Sequence, residues 1–179
     1  MKIILLTALA AALAHSAVAA EITVSAAASL TDAFNDIAKA YQTQYPDAKI
    51  NLNYAGSGVL LQQIAKGAPV DVFASADGVT MDKAAEYIDP ATRHNFVENS
   101  LVVIVPHASS WDGKDLAALM DDKNIKRIAI AHVENVPVGR YTKSALDKAG
   151  LWDKLGERNL PTQNVRQSLD YVARGEADA

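Results

Sequence analysis

After an apolar opening run, the chain settles into an alternation of short apolar stretches and longer segments whose apolar positions fall three and four apart. Ile22 to Ala28 is rich in small and β-branched residues, the composition of a short strand buried on both faces. Leu30, Ala33, Phe34, Ile37, Ala38 and Tyr41 then keep the spacing of one helix face, as far as Tyr45-Pro46. Lys49 to Tyr54 predicts a second strand. Val59, Leu60, Gln63 and Ile64 mark the inner side of a second helix, which Gly67 and Pro69 close. Val70 to Ser75 predicts a third strand and Val79 to Ile88 a third helix. This βαβαβα order calls for a parallel sheet flanked by helices.

A polar stretch beyond Asp89-Pro90 leads to Asn99-Ser100, where the pattern begins again. Leu101 to Val105 predicts a strand ended by Pro106, Leu116 to Met120 a short helix, and Arg127 to Ala131 another strand. Pro137 starts a helix that ends at Gly150, Leu151 to Leu155 adds one turn, and Val165, Leu169 and Val172 belong to a last helix. The expectation is an α/β protein of two lobes, 21–99 and 100–179, each a mostly parallel sheet flanked by helices. The first lobe is incomplete without a C-terminal return. Ala177-Asp178-Ala179 stops where a strand should begin, so the closing strand of the second lobe is expected to be missing.

Residues 1–20 change the picture by giving an address. Lys2, the apolar run from Ile3 to Ala14 and the small-residue end Ala17-Val18-Ala19-Ala20 are the three parts of a secretory signal, cleaved near Ala19 or Ala20. The apolar run is shorter than the 18 or so residues that span a bilayer. Its removal takes away one lysine and leaves 16 bases against 21 acids, a net charge of about −5. Nucleic acid and anionic membranes prefer a basic face, so neither is expected as partner. With no cysteine, an exported chain has neither disulfides nor thiolate metal sites.

Candidate chemistry gathers where strands pass into helices. Ser29 stands between the first strand and first helix, and Ser57 between two glycines after the second strand. Ligands of parallel α/β sheets lie outside such strand ends, and a helix start offers unpaired N–H groups to an anion. Pro137 suits a first helical turn and leaves the N–H of Val138 and Gly139 free, while Asn164 is placed to cap the last helix beside Val165 and Arg166. Ordinary helix caps explain each of these singly. Enzyme motifs are weak: the glycines flank Ser57 directly, unlike a nucleophile elbow, and His94, His107 and His132 have no metal-ligand spacing. Asp71, Asp77, Asp121 and Asp122 read as turn or cap residues, and Arg166 as facing solvent or a carboxylate.

Five motifs in order carry a resemblance over essentially all of 21–179: Ala26-Ala27-Ala28-Ser29-Leu30-Thr31, Ala55-Gly56-Ser57-Gly58, the run Gly67 to Asp77, Asn99-Ser100-Leu101-Val102-Val103, and Val136 to Tyr141. Together they resemble the periplasmic molybdate-binding proteins that feed the molybdate ABC transporter. The resemblance implies a two-lobed periplasmic binding protein that closes on its ligand, with its C-terminal part missing here. It implies no enzyme activity and no cofactor. By position it implies that Ser29 and Ser57, through hydroxyl and backbone, and the backbone N–H of Val138 and Val165 hold molybdate through its oxygens. Tungstate should bind as well. The family often has alanine at the place of Val138, and a tyrosine donor on a strand absent from this sequence. A periplasmic monomer serving a membrane permease is the partner scheme. A sulfate binder on the same fold and an exported serine hydrolase using Ser29 or Ser57 are the alternatives.

Overall fold

In the computed structural model, which describes residues 21–111 and 113–179, β1 (Glu21–Ala27) is the middle strand of a parallel sheet ordered β2-β1-β3. The expected signal lies outside the described residues. β2 (Lys49–Ala55) pairs along all of β1, from Glu21↔Lys49 to Ala27↔Ala55, and β3 (Val72–Ala74) pairs from Val24↔Val72 to Ala26↔Ala74. A central parallel strand is covered on both faces, which is why β1 can end in the run Ser25 to Ala27, all buried. Such small side chains let helices approach closely. α1 (Thr31–Gln44) and α2 (Ser57–Ala65) both pack on this sheet. Leu30, Phe34, Leu52 and Tyr54 lean on the core made by Val24, Ala26 and Ala74.

Past the short α3 (Gly78–Lys83) and α4 (Leu116–Asp121), the chain forms a second parallel pair, β4 (Ile128–Ala131) with β5 (Asn159–Thr162), in the register Ile128↔Asn159 to Ala131↔Thr162. α5 (Pro137–Lys148), the single turn α6 (Trp152–Leu155) and α7 (Val165–Ala173) complete this part. α5 and α7 pack against β4. Leu119, Met120, Ile125, Ile128, Ile130, Leu146, Leu151, Leu155 and Ala179 form one buried cluster. Gly150, at φ 67°, ends α5 where a side chain would be strained, and Leu151 N–H turns back to the Leu146 carbonyl at 2.8 Å.

Three local expectations need correction. Leu101 to Val105 pairs with no strand among the described residues, and Val102 is 77% exposed; β-branched residues favour an extended chain, but only a neighbour makes it a strand. The third helix stops at Lys83 and continues only as turns. On α1 the apolar spacing is right but only Ala38 is buried, and Ile37 stays 58% exposed because no described element covers that stripe. At the other end, Ala179 already lies beside the free edge of β4. Its N–H donates to the Arg127 carbonyl at 3.3 Å and its carbonyl accepts from Ala129 N–H at 2.8 Å, the pattern of a parallel bridge.

Candidate functional site

Each proposed donor sits in the first turn of a helix. β1 runs into a 3-10 turn, Ala28–Leu30, and Ser29 is its exposed middle residue. Ser57 is the first residue of α2 and completely buried; Val138 follows Pro137 in the first turn of α5; Val165 opens α7. N–H groups at these places have no carbonyl one turn back to bond.

The ordinary-cap explanation fails for both serines. Gly56 occupies the cap position of α2 and Leu30 that of α1, neither with a side-chain cap bond. The Ser57 hydroxyl instead accepts from Ala76 N–H at 3.0 Å, which leaves its hydrogen free to donate. Asn164 does cap α7 as expected: its carbonyl oxygen accepts from Gln167 N–H at 3.0 Å and leaves the earlier N–H groups of Val165 and Arg166 open. Pro137 also takes its expected place at the start of α5.

Close backbone approach brings these starts together. Gly58 N–H donates to the Asn135 carbonyl at 3.0 Å, and a Cβ on Gly58 would stand only 2.4 Å from that oxygen. A Cβ on Gly56 would be 3.1 Å from the Gln163 carbonyl and from a Val136 methyl. The start of α2 therefore touches the residues that precede both α5 and α7. α7 in turn packs on the Ala28–Leu30 turn, and Arg166 reaches Asp32 of α1 at 2.6 Å. Gly139 presses α5 onto the end of β4, since its Cβ would lie 2.2 Å from the Ala131 carbonyl.

Among the described residues, the two arginines beside this junction are both paired. Arg166 is paired with Asp32, and Arg140 is paired with Asp77 through both Nε and Nη2. Burial pushes the Asp77 carboxyl up, but hydrogen bonds from Thr80 and Arg140 outweigh it and hold the group below the ordinary aspartate range. Burial, with the nearby Asp77 charge, raises the Tyr141 hydroxyl. What remains for a ligand are hydroxyl hydrogens, peptide N–H groups and the positive ends of helices, a set that suits an anion needing no proton from the protein. Among the described residues no group of three or more histidine, aspartate or glutamate side chains is placed to hold a metal ion. The His132 ring lies 3.3 Å from the Gln163 side-chain nitrogen, and the His94 ring 3.0 Å from the Thr92 carbonyl.

Asp77 is a turn and cap residue, as its place before Gly78 predicts, accepting from Thr80 N–H at 3.0 Å. Its second oxygen, which takes Arg140, was not foreseeable, because that partner lies 63 residues away. Asn135 was missed as well. Its carbonyl joins the two parts, while its buried side-chain oxygen has no hydrogen-bond partner.

Parallel sheets whose strand ends and helix starts meet at one junction suit a binding protein of the α/β class, and residues 22–179 match the family of bacterial extracellular solute-binding proteins. The chain belongs to that family, whose members are binding proteins and not enzymes. It is 42% identical to the molybdate-binding protein ModA of Escherichia coli, over 93% of this chain and 67% of that protein. To ModA of Haemophilus influenzae it is 36% identical, over 90% of this chain and 65% of that protein. The substrate-binding domain of a putative molybdenum ABC transporter from Clostridium difficile superposes with a TM-score of 0.60 at 35% identity, covering 89% of this chain and 69% of that one. The periplasmic molybdate-binding protein of Azotobacter vinelandii shares the fold, with a TM-score of 0.72 at 24% identity, over 88% of this chain and 68% of that one. The chain spans about two thirds of the length of the curated relatives it matches.

Proposed function

We propose that this chain is an exported, monomeric binding protein that captures molybdate in the periplasm and delivers it to the permease of an ABC importer. Ser29 and Ser57 donate through hydroxyl and backbone, and Val138 and Val165 through backbone N–H. The two units expected at 21–99 and 100–179 hold the ion between them. The observation that carries the reading is the meeting of four helix starts at a place where both nearby arginines are already neutralised by aspartates. Molybdate is a dianion at neutral pH, so it can accept from every one of these groups without itself donating. Tungstate has nearly the same size and binds the same way; sulfate is smaller and leaves donors unsatisfied.

Thermal melts in molybdate, tungstate and sulfate test this. A ligand bound only by the folded chain stabilises it by about 2.7 kcal/mol at a hundred times its dissociation constant. The expected result is an upward shift with molybdate and tungstate and almost none with sulfate at equal concentration. Equal shifts with sulfate would leave a general oxyanion binder, and no shift with any of them would rule out the site.

A further inference from the structure

The segment Ser75 to Asp77 follows β3 and touches both sides of the proposed site without belonging to it. On one side, Ala76 N–H donates to the Ser57 hydroxyl oxygen at 3.0 Å, which sets where that hydroxyl can send its hydrogen. On the other, Asp77 takes Arg140, two residues beyond Val138 on the first turns of α5. Arg140 is held from several directions: Nε reaches Asp77 at 3.1 Å, Nη2 reaches Asp77 and, at 2.9 Å, the Thr80 hydroxyl, and Nη1 reaches the Glu134 carbonyl at 3.1 Å. The segment is itself pinned, since the Ser75 hydroxyl donates to the Asp77 carbonyl at 3.0 Å. The Asp77 side chain is 1% exposed and that of Arg140 22%.

We propose that Asp77 and Arg140 are positioning residues that fix the distance between the Ser57 hydroxyl and the start of α5, and through it the size of oxyanion the site accepts. This rests on the anion reading above. A part-buried ion pair whose Nε and Nη2 converge on one Asp77 oxygen suits such a task because its geometry is narrow: a planar guanidinium bonded at three partners cannot slide as an ammonium can. Loss of Arg140 leaves the Asp77 charge buried with only Thr80 beside it, and loss of Asp77 leaves Arg140 without its counter-charge, so the hold between the two sides of the site loosens. A cavity of fixed width discriminates between ions of different bond length, and a loosened one does not.

The test is calorimetric titration of the full chain and of Arg140→Lys, Arg140→Ala and Asp77→Asn with molybdate and with sulfate, alongside melts without ligand. We expect Arg140→Ala and Asp77→Asn to bind molybdate at least tenfold more weakly while sulfate changes less, so the preference between the ions narrows. Arg140→Lys keeps the charge but not the fork, and is expected to recover only part of the preference. Unchanged molybdate affinity in Arg140→Ala overturns the proposal. So does an equal loss for both ions together with a large fall in the unliganded melting temperature, which is the mark of a merely structural pair. Should Asp77→Asn fail to fold, because it also caps α3, the two Arg140 variants decide. If the unaltered chain binds neither ion, the anion reading itself fails, and that result is separable from failure of the positioning role.

Discussion

Of the proposed donors, those on residues 21–77 are serines with side-chain hydroxyls, whereas those on residues 128–173 are valines that offer peptide N–H groups. The first part has a small cluster of three buried residues, Val24, Ala26 and Ala74, with larger side chains half-covered around them, and Leu60 of α2 buried beside the sheet. The second gathers nine buried residues, from α4, β4, α5, α6 and the segments beside them, into one cluster. Precision in the first part thus comes from individual side chains on a lightly built sheet. In the second it comes from where whole helices sit: Leu146 anchors α5 in the larger core, and α7 rests on β4 and the Ala28–Leu30 turn.

The largest expected effect breaks the comparison at its base. Leu119 is 2% exposed in the larger cluster, so Leu119→Ala should cost about 2–5 kcal/mol in urea unfolding, as buried leucines do when truncated. Leu52, only half-buried on β2, should cost clearly less when changed to alanine. Equal losses would mean that the two cores are alike after all.

The next effect separates hydroxyl from backbone donors. Ser57→Ala should weaken molybdate binding by roughly ten- to a hundredfold, the equivalent of about 1.5–3 kcal/mol for a hydrogen bond to a charged partner. Ser29→Ala should behave similarly, with no added loss from a helix cap, since Ser29 makes none. Val138→Ala should leave affinity within a few-fold, because the peptide N–H stays. Calorimetry on the three variants checks this, and a Val138→Ala loss as large as that of Ser57→Ala would show that the valine side chain, not its N–H, touches the ion.

The smallest effect concerns pH and the pair that joins the two parts. Asp77 is held below the ordinary aspartate range, so its contribution is complete above that range and disappears as pH falls through its lowered value. Melting temperature should therefore fall on acidification below the usual carboxylate range, and less steeply in Asp77→Asn than in the unaltered chain. Exposed Glu21, lowered by bonds to Lys49 and Asn51, titrates in both and cancels in the comparison. Parallel curves for the two proteins would remove Asp77 from the account.

Sequence reasoning reached what is local or periodic. Much of the strand and helix order follows from spacing, but β5 was not expected, because Asn159 and Pro161 interrupt any apolar run in its four residues; Pro137 and Asn164 were legible because their chemistry is complete within three residues. The resemblance, not the spacing, supplied the expected donors. Leu101 to Val105 was misread because propensity states a preference for extension and says nothing about a partner. Ser57 looked like a cap because a serine beside a helix start usually is one; only the fold shows Gly56 in that position and Ala76 waiting 19 residues on. The Asp77–Arg140 pair and the Gly58–Asn135 contact were illegible for the same reason: each joins segments far apart in sequence.

The glycines at the junction bear on how such a protein can acquire a new ligand. On the proposed reading, Val138 and Val165 donate through peptide groups, so exchanging their side chains changes almost nothing and a search through them explores very little. Spacing is the variable that matters, and it is set by backbone contacts at Gly56, Gly58 and Gly139, where even one added methyl meets a main-chain carbonyl. Retuning for a larger or smaller ion therefore runs through positions that never touch it. The route is narrow, because every step along it shifts a helix and must be absorbed by the core behind.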